Sequence, residues 1–294
     1  MMVRRFGRRP SGPIPARRAM SSPHAPAALM TIGACGVRKL LLAATVILCA
    51  CSGSPARETS HSYCSERTFE GSRFTVCENR GGKLQLLAAA SSEPPLRNFA
   101  DINRKLASER IAFAMNAGMF DEAGRPIGLA IVNGRQIHKL NVRDGPGNFH
   151  MKPNGVFLVS NGRPQVVVSE AMPVDGVSTI SLATQSGPML VIGGKLHPKI
   201  EPNGSSRLIR NGVGVTNSGR ALFVISEEAV SFGKLARFFR DGLKTPNALF
   251  FDGSVSSLWD PANGRMDSHS ELGPMIVALK PSVSKPGREG PARP

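Results

Sequence analysis

Four times in this chain an apolar run, a tight turn signal and a second apolar run follow one another: LAIV-NG-RQIHKL, GVFLVS-NG-RPQVVV, PMLVI-GG-KLHP and GVGVT-NSG-RALFVIS. Asn-Gly and Gly-Gly supply the positive φ angles that tight hairpin turns require, so each segment predicts two antiparallel strands. Further short apolar or alternating runs lie at Phe69 to Cys77, Lys83 to Ala89 and Ile111 to Met115. The hairpins share turn chemistry but no longer period, which argues against a propeller. Two stretches carry an apolar stripe at helical spacing instead: Leu96, Phe99, Ile102 and Leu106 over 95–109, and Phe232, Leu235, Phe238, Phe239 and Leu243 over 231–243. The expected fold class is therefore α+β, with mainly antiparallel or mixed β-sheets built from hairpins and two or more packed helices. A single domain is expected over 63–280.

The two ends differ in composition. Residues 1–29 are rich in Arg, Pro, Ser and Ala and lack core-building periodicity, so they read as an untranslated or disordered extension. Met30, or else Met20, is a better start than Met1. Residues 30–50 combine a basic flank with the eleven-residue apolar run LLLAATVILCA, the pattern of an export signal too short to span a bilayer. The order Leu48-Cys49-Ala50-Cys51 looks like a bacterial lipobox, which makes Cys51 the expected lipidated terminus and 51–62 a tether. The tail 281–294, with four prolines and no apolar anchor, is expected to be disordered. By resemblance to the known lipoprotein sorting pattern, Ser52 rather than Asp after Cys51 favours the outer membrane, facing the periplasm, if the cell is Gram-negative.

Processing changes the charge balance. Residues 1–50 hold eight Lys or Arg and no acid, so the remainder has 29 basic against 21 acidic residues, net +8 in place of +16. That suits an anionic substrate or a phospholipid surface. It does not suit nucleic acid, since the bases are scattered and the aromatics show no stacking pattern. Of the five cysteines, Cys64 and Cys77 stay as a pair once Cys51 carries lipid. In an oxidising compartment they are expected to form a disulfide tying the N-terminal segment to the first strand. A zinc site is the poorer reading, as no CxxC or HxxxH supports it.

Polar residues flanked by glycine recur at strand ends. They include Asn116 in NAGMF, Arg143 and Asp144 in NVRDGPGNF, Lys152 in KPNG, Gln185 in TQSGP, Arg210 and Asn211 in IRNG, Glu227 in ISEE, and Asp252 and Ser254 in FFDGS. Glycine lets a backbone approach a ligand, while Asn, Gln and Arg orient hydroxyl and phosphate oxygens. Taken singly, Asp252-Gly253 and Asp144-Gly145 read as ordinary turns. Arg210 reads as a solvated cation and Glu227 as a cap on the helix that follows. The histidines are scattered, and GxSxG, a Walker loop, HExxH and GxGxxG are all absent, so Ser254, Ser256 and Ser257 lack a nucleophile elbow.

Together the segments AMNAGMF, NVRDGPGNFHMKPNGVF, TQSGPMLVIGGKLHP, SSRLIRNGVGV, ISEEAVSF and NALFFDGSVSSLW resemble the phosphodiester glycosidase domain family, and its bacterial lipoprotein branch in particular. The resemblance runs from Leu84 to Leu279. It implies hydrolysis of a sugar joined through its anomeric carbon to a phosphodiester, in a phosphoglycan or glycolipid of the cell envelope. On that basis Asp252 is the first candidate carboxylate, with Asp144 and Glu227 next. Arg210, with Arg143 and Lys152 behind it, is assigned to the phosphate, while Asn116, Gln185, Asn211 and Ser254 orient sugar hydroxyls or the phosphate. No cofactor or metal is required, although the carboxylates are able to bind a divalent ion. Two other classes fit the same residues: a non-catalytic envelope protein that binds anionic glycans, and a phosphodiesterase that cuts P–O rather than C–O.

Overall fold

The turn signals act where the sequence places them. Asn133-Gly134, Asn161-Gly162 and Gly193-Gly194 each hold two successive positive φ angles, the geometry that folds a twisted strand back on itself. They join Ala130–Val132 to Arg135–His138, Gly155–Ser160 to Arg163–Val168, and Met189–Ile192 to Lys195–Leu196. The fourth hairpin, Asn211–Val215 with Ala221–Ser226, closes through Gly219 at φ 79°. A fifth divides what reads in sequence as one strand, Phe69 to Cys77. Glu70 and Gly71 adopt φ 46° and 73°, and Cys64–Phe69 pairs back on Ser72–Glu78. Glutamate is not a usual residue at such a turn, which is why the sequence pattern passes over it.

The computed structural model describes residues 62–90, 92–106, 110–172 and 177–281, all within one unit spanning Arg57–Pro294. The extension, the expected export signal, the Cys51 lipidation site and the tail from residue 282 lie outside the described residues. Among the described residues no helix is long and apolar enough to cross a membrane.

The strands form three sheets in which every pairing is antiparallel. The seven-stranded sheet runs Cys64–Phe69, Ser72–Glu78, Ala221–Ser226, Asn211–Val215, Asn247–Phe250, Met189–Ile192, Lys195–Leu196. One five-stranded sheet runs Arg265–Met266, Leu258–Asp260, Ile111–Asn116, Met275–Leu279, Leu84–Leu87. The other runs Arg135–His138, Ala130–Val132, Ile180–Ser186, Gly155–Ser160, Arg163–Val168.

A central apolar cluster draws on all three sheets, through Phe223, Val213 and Leu249 from the first, Phe113, Met115 and Ile276 from the second, and Phe157 and Leu182 from the third. Alternation then decides what covers the outer face of the seven-stranded sheet. Leu222, Val224, Ala248 and Phe250 point away from the centre and pack with Leu235, Phe238 and Phe239. A sheet covered on both faces needs apolar residues at successive positions, which is why ALFVIS and NALFF read as continuous runs.

Helices are few and short. The first spans Phe99–Lys105, with the Asn98 side chain accepting from the Asp101 amide at 2.9 Å, so it starts later than the apolar stripe from Leu96 implies. The second spans Phe232–Arg237 and continues as a π-turn over Phe238–Gly242. Cys64 and Cys77 are bonded and directly opposite in the first hairpin. The disulfide therefore staples two neighbouring strands, rather than joining a separate N-terminal segment to the sheet.

Candidate active site

The run LFFDGSVSSL crosses from one sheet to another. It leaves the seven-stranded sheet after Asn247–Phe250 and enters a five-stranded sheet at Leu258–Asp260, so its loop must be held at both ends. One carboxamide does this. The Asn116 Nδ2 donates to the Asp252 carbonyl at 2.8 Å, and its Oδ1 accepts from the Ser257 amide at 2.8 Å. Asn211 Nδ2 donates to the same Oδ1 at 2.8 Å, and Ser256 Oγ donates to Asn211 Oδ1 at 3.1 Å. Asn116, Asn211, Ser256 and Ser257 are all buried. Leaving one such buried group without its partner costs about 1–3 kcal/mol, so the network favours a single loop geometry.

Within that loop Asp252 is both a turn residue and an available carboxylate. Its Oδ1 accepts from the Ser254 amide at 3.1 Å and the Ser254 hydroxyl at 2.6 Å, closing a local turn. Its second oxygen accepts no hydrogen bond among the described residues, and the residue is part exposed. The amide of Asp252 donates to the Ala117 carbonyl at 3.0 Å, which fixes the backbone beneath it.

Alternation separates the sequence candidates onto two faces. Leu249 and Phe251 face the central cluster, whereas Ala248 and Phe250 face the second helix. Asp252 lies two residues past the strand end, with φ −72° and ψ 95°. Arg210 stands on the side of the second helix, its guanidinium carbon 3.7 Å from the Phe232 ring centre and 5.6 Å from that of Phe250. The next residue, Asn211, points the other way into the buried brace. Arg210 and Asp252 thus lie just beyond the neighbouring ends of two paired strands, Asn211–Val215 and Asn247–Phe250, where the Phe251 amide donates to the Asn211 carbonyl at 3.2 Å.

Arg210 is unusual for a cation. It is 1% exposed, and its guanidinium donates to the Val230 carbonyl at 2.9 Å and to the Ser206 carbonyl and hydroxyl at 3.2 and 3.0 Å. No carboxylate pairs with it among the described residues. Burial pushes its pKa down to about 10, which still leaves it charged at neutral pH.

The remaining candidates have other partners. Glu227 accepts from Thr75 Oγ1 at 2.6 Å and Arg265 at 2.7 Å, and Arg265 also holds Asp267, which accepts from the Leu258 amide. Asp144 is 93% exposed and pairs with Lys152 at 3.0 Å, which holds its carboxyl below the usual range. Lys152 also donates to the Val142 carbonyl at 2.5 Å. Arg143 is exposed and lines an open cleft of about 760 Å³ with Lys139 and Asn141. Gln185 is consumed by backbone and hydroxyl groups: its Oε1 accepts from the Leu129 and Asn141 amides, and its Nε2 donates to the Asn141 carbonyl and Ser169 Oγ. Gly118 and Gly128 make room for it, since a Cβ would stand 2.3 Å from the Gln185 carbonyl or 2.6 Å from its Oε1.

The structure therefore brings Asp252, Ser254 and Arg210 to one end of the seven-stranded sheet, with Asn116 and Asn211 bracing them from behind. Asp144, Arg143 and Lys152 gather on the 141–152 loop, and no hydrogen bond or ion pair links the two groups among the described residues. Sequence reasoning missed Ser206, Phe232, Ser256 and Arg265 as parts of the site or its frame. Among the described residues no three His, Cys, Asp or Glu side chains gather to hold a metal ion.

A family model for phosphodiester glycosidases matches residues 109–270, more than half the chain and a span that contains every one of these candidates. The chain belongs to the phosphodiester glycosidase family. It is 39% identical over 160 residues to the uncharacterised protein YigE of Escherichia coli K12, covering 54% of this chain and 61% of that relative. The match thus spans less than two thirds of YigE. Among solved structures it is similar to the zebrafish N-acetylglucosamine-1-phosphodiester alpha-N-acetylglucosaminidase catalytic domain, auto-inhibited by its pro-peptide. That match has a TM-score of 0.52 and 15% identity, over 75% of this chain and 82% of the other. At that identity the likeness speaks to the fold of the phosphodiester glycosidase domain alone.

Proposed function

We propose that this member of the family is an active hydrolase that splits a sugar-1-phosphodiester in a cell-envelope glycan or glycolipid. The observation that carries the reading is that one end of the sheet holds Asp252, a carboxylate with one oxygen that accepts no hydrogen bond, and Arg210, a buried cation without a counter-charge among the described residues. Cleavage of the bond between the anomeric carbon and the phosphate oxygen calls for charges of these two kinds. The departing phosphomonoester takes the bonding electron pair, and a nearby cation stabilises the charge that develops on it. The sugar becomes oxocarbenium-like, and a carboxylate either stabilises it or takes the proton from the water that adds to the anomeric carbon. Because the leaving group is already a stable anion, the mechanism relies little on a strong general acid. Ser254 then orients the Asp252 carboxylate, while Asn116, Asn211 and Ser256 hold the loop that carries it.

The envelope location rests on the apolar run and lipobox ending at Cys51, and the Cys64–Cys77 bond supports an oxidising compartment. The chain in this reading is exported, lipid-anchored and, in a Gram-negative cell, faces the periplasm from the outer membrane. No metal or cofactor enters the mechanism.

The test is a screen of envelope glycosyl phosphodiesters with purified residues 52–294, reading free reducing sugar. In oxygen-18 water the label should enter the sugar. Label in the phosphate would instead identify a P–O cleaving phosphodiesterase, and no release from any substrate would favour a binding protein.

A further inference from the structure

Beside Arg210 lies a small cavity that none of the assignments above uses. It has a volume of about 200 Å³; Lys199, Glu201, Gly204, Ser205 and Ser206 form its polar wall, and Met151, Ile200 and Phe232 its apolar one. Two of these residues are direct neighbours of the buried guanidinium: Ser206 accepts two of its hydrogen bonds and Phe232 lies against its face. The charge that lacks a counter-ion thus stands one side chain behind the cavity wall.

The chemistry of Ser206 points outward. Its Oγ accepts from Arg210 at 3.0 Å, so its own hydroxyl hydrogen is not used in that bond and is left for another acceptor, polarised by the cation behind it. Ser205 adds a second hydroxyl and Lys199 an ammonium. Pockets for drug-sized ligands run to about 300–1,000 Å³, so this one suits a compact group rather than a whole sugar. Hydroxyl donors and an ammonium around a compact space, with a guanidinium behind one hydroxyl, recognise an oxyanion.

We infer that this cavity is a phosphate pocket in which Ser206, Ser205 and Lys199 hold the oxygens and Arg210 supplies charge through Ser206. The inference rests on the phosphodiester glycosidase reading for its natural ligand, and it assigns the phosphate to a place and to residues that reading leaves open. Glu201 opposes a second negative charge, so the pocket favours a singly charged phosphodiester over a doubly charged phosphomonoester. The product would be released more readily than the substrate.

Isothermal titration of residues 52–294 with inorganic phosphate tests this without turnover. Ser206→Ala should weaken phosphate binding about tenfold, the loss expected for one charge-assisted hydrogen bond. Lys199→Ala should weaken it by a smaller factor and flatten its salt dependence. Glu201→Gln should tighten it, a direction that mere damage to the fold does not produce. Melting temperatures of the three variants check that each is folded. No phosphate binding by the wild-type protein overturns the proposal, as does an affinity unmoved by Ser206→Ala and Glu201→Gln, or one lost only on Arg143→Ala. Reducing-sugar release measured in parallel keeps the two ideas apart. Phosphate binding of the expected pattern without hydrolysis leaves the pocket and removes the enzyme, whereas hydrolysis unaffected by Ser206→Ala removes the pocket.

Discussion

Arg265 and Arg210 are two arginines of one domain, both withdrawn from water, in opposite circumstances. Arg265 is held between Glu227 at 2.7 Å and Asp267 at 2.9 Å. Burial alone would depress its pKa, but the hydrogen bonds it donates to those two carboxylates outweigh that and hold the group above its ordinary value. Arg210 is more deeply buried, meets carbonyls, one hydroxyl and aromatic faces but no carboxylate among the described residues, and is pushed down to about 10 by burial. A charge neutralised inside the fold is finished business and serves structure. A buried charge left without a counter-ion destabilises the free protein, and an anionic ligand relieves that cost. In the proposed reading, the two arginines separate the frame of the site from its chemistry.

The widest way to break this contrast is to remove each charge in turn. Arg210→Met should lower turnover by about 10²–10³-fold, the usual loss when a preorganised charge at a reacting oxyanion is deleted. Its folding stability should hold or rise, because the desolvation cost of the cation goes with it. Arg265→Met should do the reverse: near-normal turnover, but a stability loss of about 1–3 kcal/mol from two carboxylates left facing each other. Initial rates and urea melts of both variants check the pair. If Arg265→Met loses activity while Arg210→Met only unfolds, the roles are exchanged.

Asp252→Asn tests the carboxylate at the same end of the sheet. The amide oxygen can still accept from Ser254, so the turn and the melting temperature should be nearly unchanged. Turnover should fall below detection. Phosphate affinity should not decrease, since a negative charge near the anion has been removed. A variant with normal rate would take Asp252 out of the mechanism, and one that simply unfolds would restore it to an ordinary turn residue.

Next in size is the brace. Asn116→Ala strips partners from the Asp252 carbonyl, the Ser257 amide and Asn211 at once, so it should cost about 2–4 kcal/mol and lower kcat more than it raises KM. An Asn116→Ala protein with full stability would show that the loop does not depend on this clasp.

Local chemistry was legible in the sequence and facing was not. The hairpins at Asn133, Asn161 and Gly193 follow from residues that tolerate positive φ, a property of the turn itself. The chain pattern also marked Asp252, Arg210, Asn116 and Asn211 as polar residues at strand ends, alongside Arg143, Asp144, Lys152, Gln185, Glu227 and Ser254. It did not show that Arg210 and Asn211, adjacent in sequence, serve opposite faces, since that depends on which cluster covers each side of the sheet. Gln185 reads as a ligand to sugar hydroxyls, yet both ends of its carboxamide are taken by the Leu129, Asn141 and Ser169 segments. Glu227 reads as a catalytic alternative or a helix cap, and it instead meets Thr75 and an arginine 38 positions away. Partners that distant in sequence leave no local pattern.

A third arginine gives the smallest effect and calibrates the other two. Arg237 forms a double hydrogen bond with Glu70, both at 2.7 Å, at the rim of the first hairpin, with 36% of the Glu70 side chain exposed. The hydrogen bond from Arg237 is the main cause that lowers the Glu70 pKa, against a smaller opposing contribution from burial. At that exposure solvent screening leaves the pair worth no more than about 0.5 kcal/mol, which Glu70→Gln should lose at neutral pH. A carboxylate whose folded pKa lies below its unfolded value stabilises the protein above the unfolded value, and that contribution fades as pH falls through the folded one. The gap between wild type and Glu70→Gln in urea melts should thus be present at pH 7 and close below the ordinary carboxylate range. A gap that widens on acidification would mean that Glu70 is held protonated in the fold. The rim pair would then resemble the buried and uncompensated Arg210 more than the neutralised Arg265.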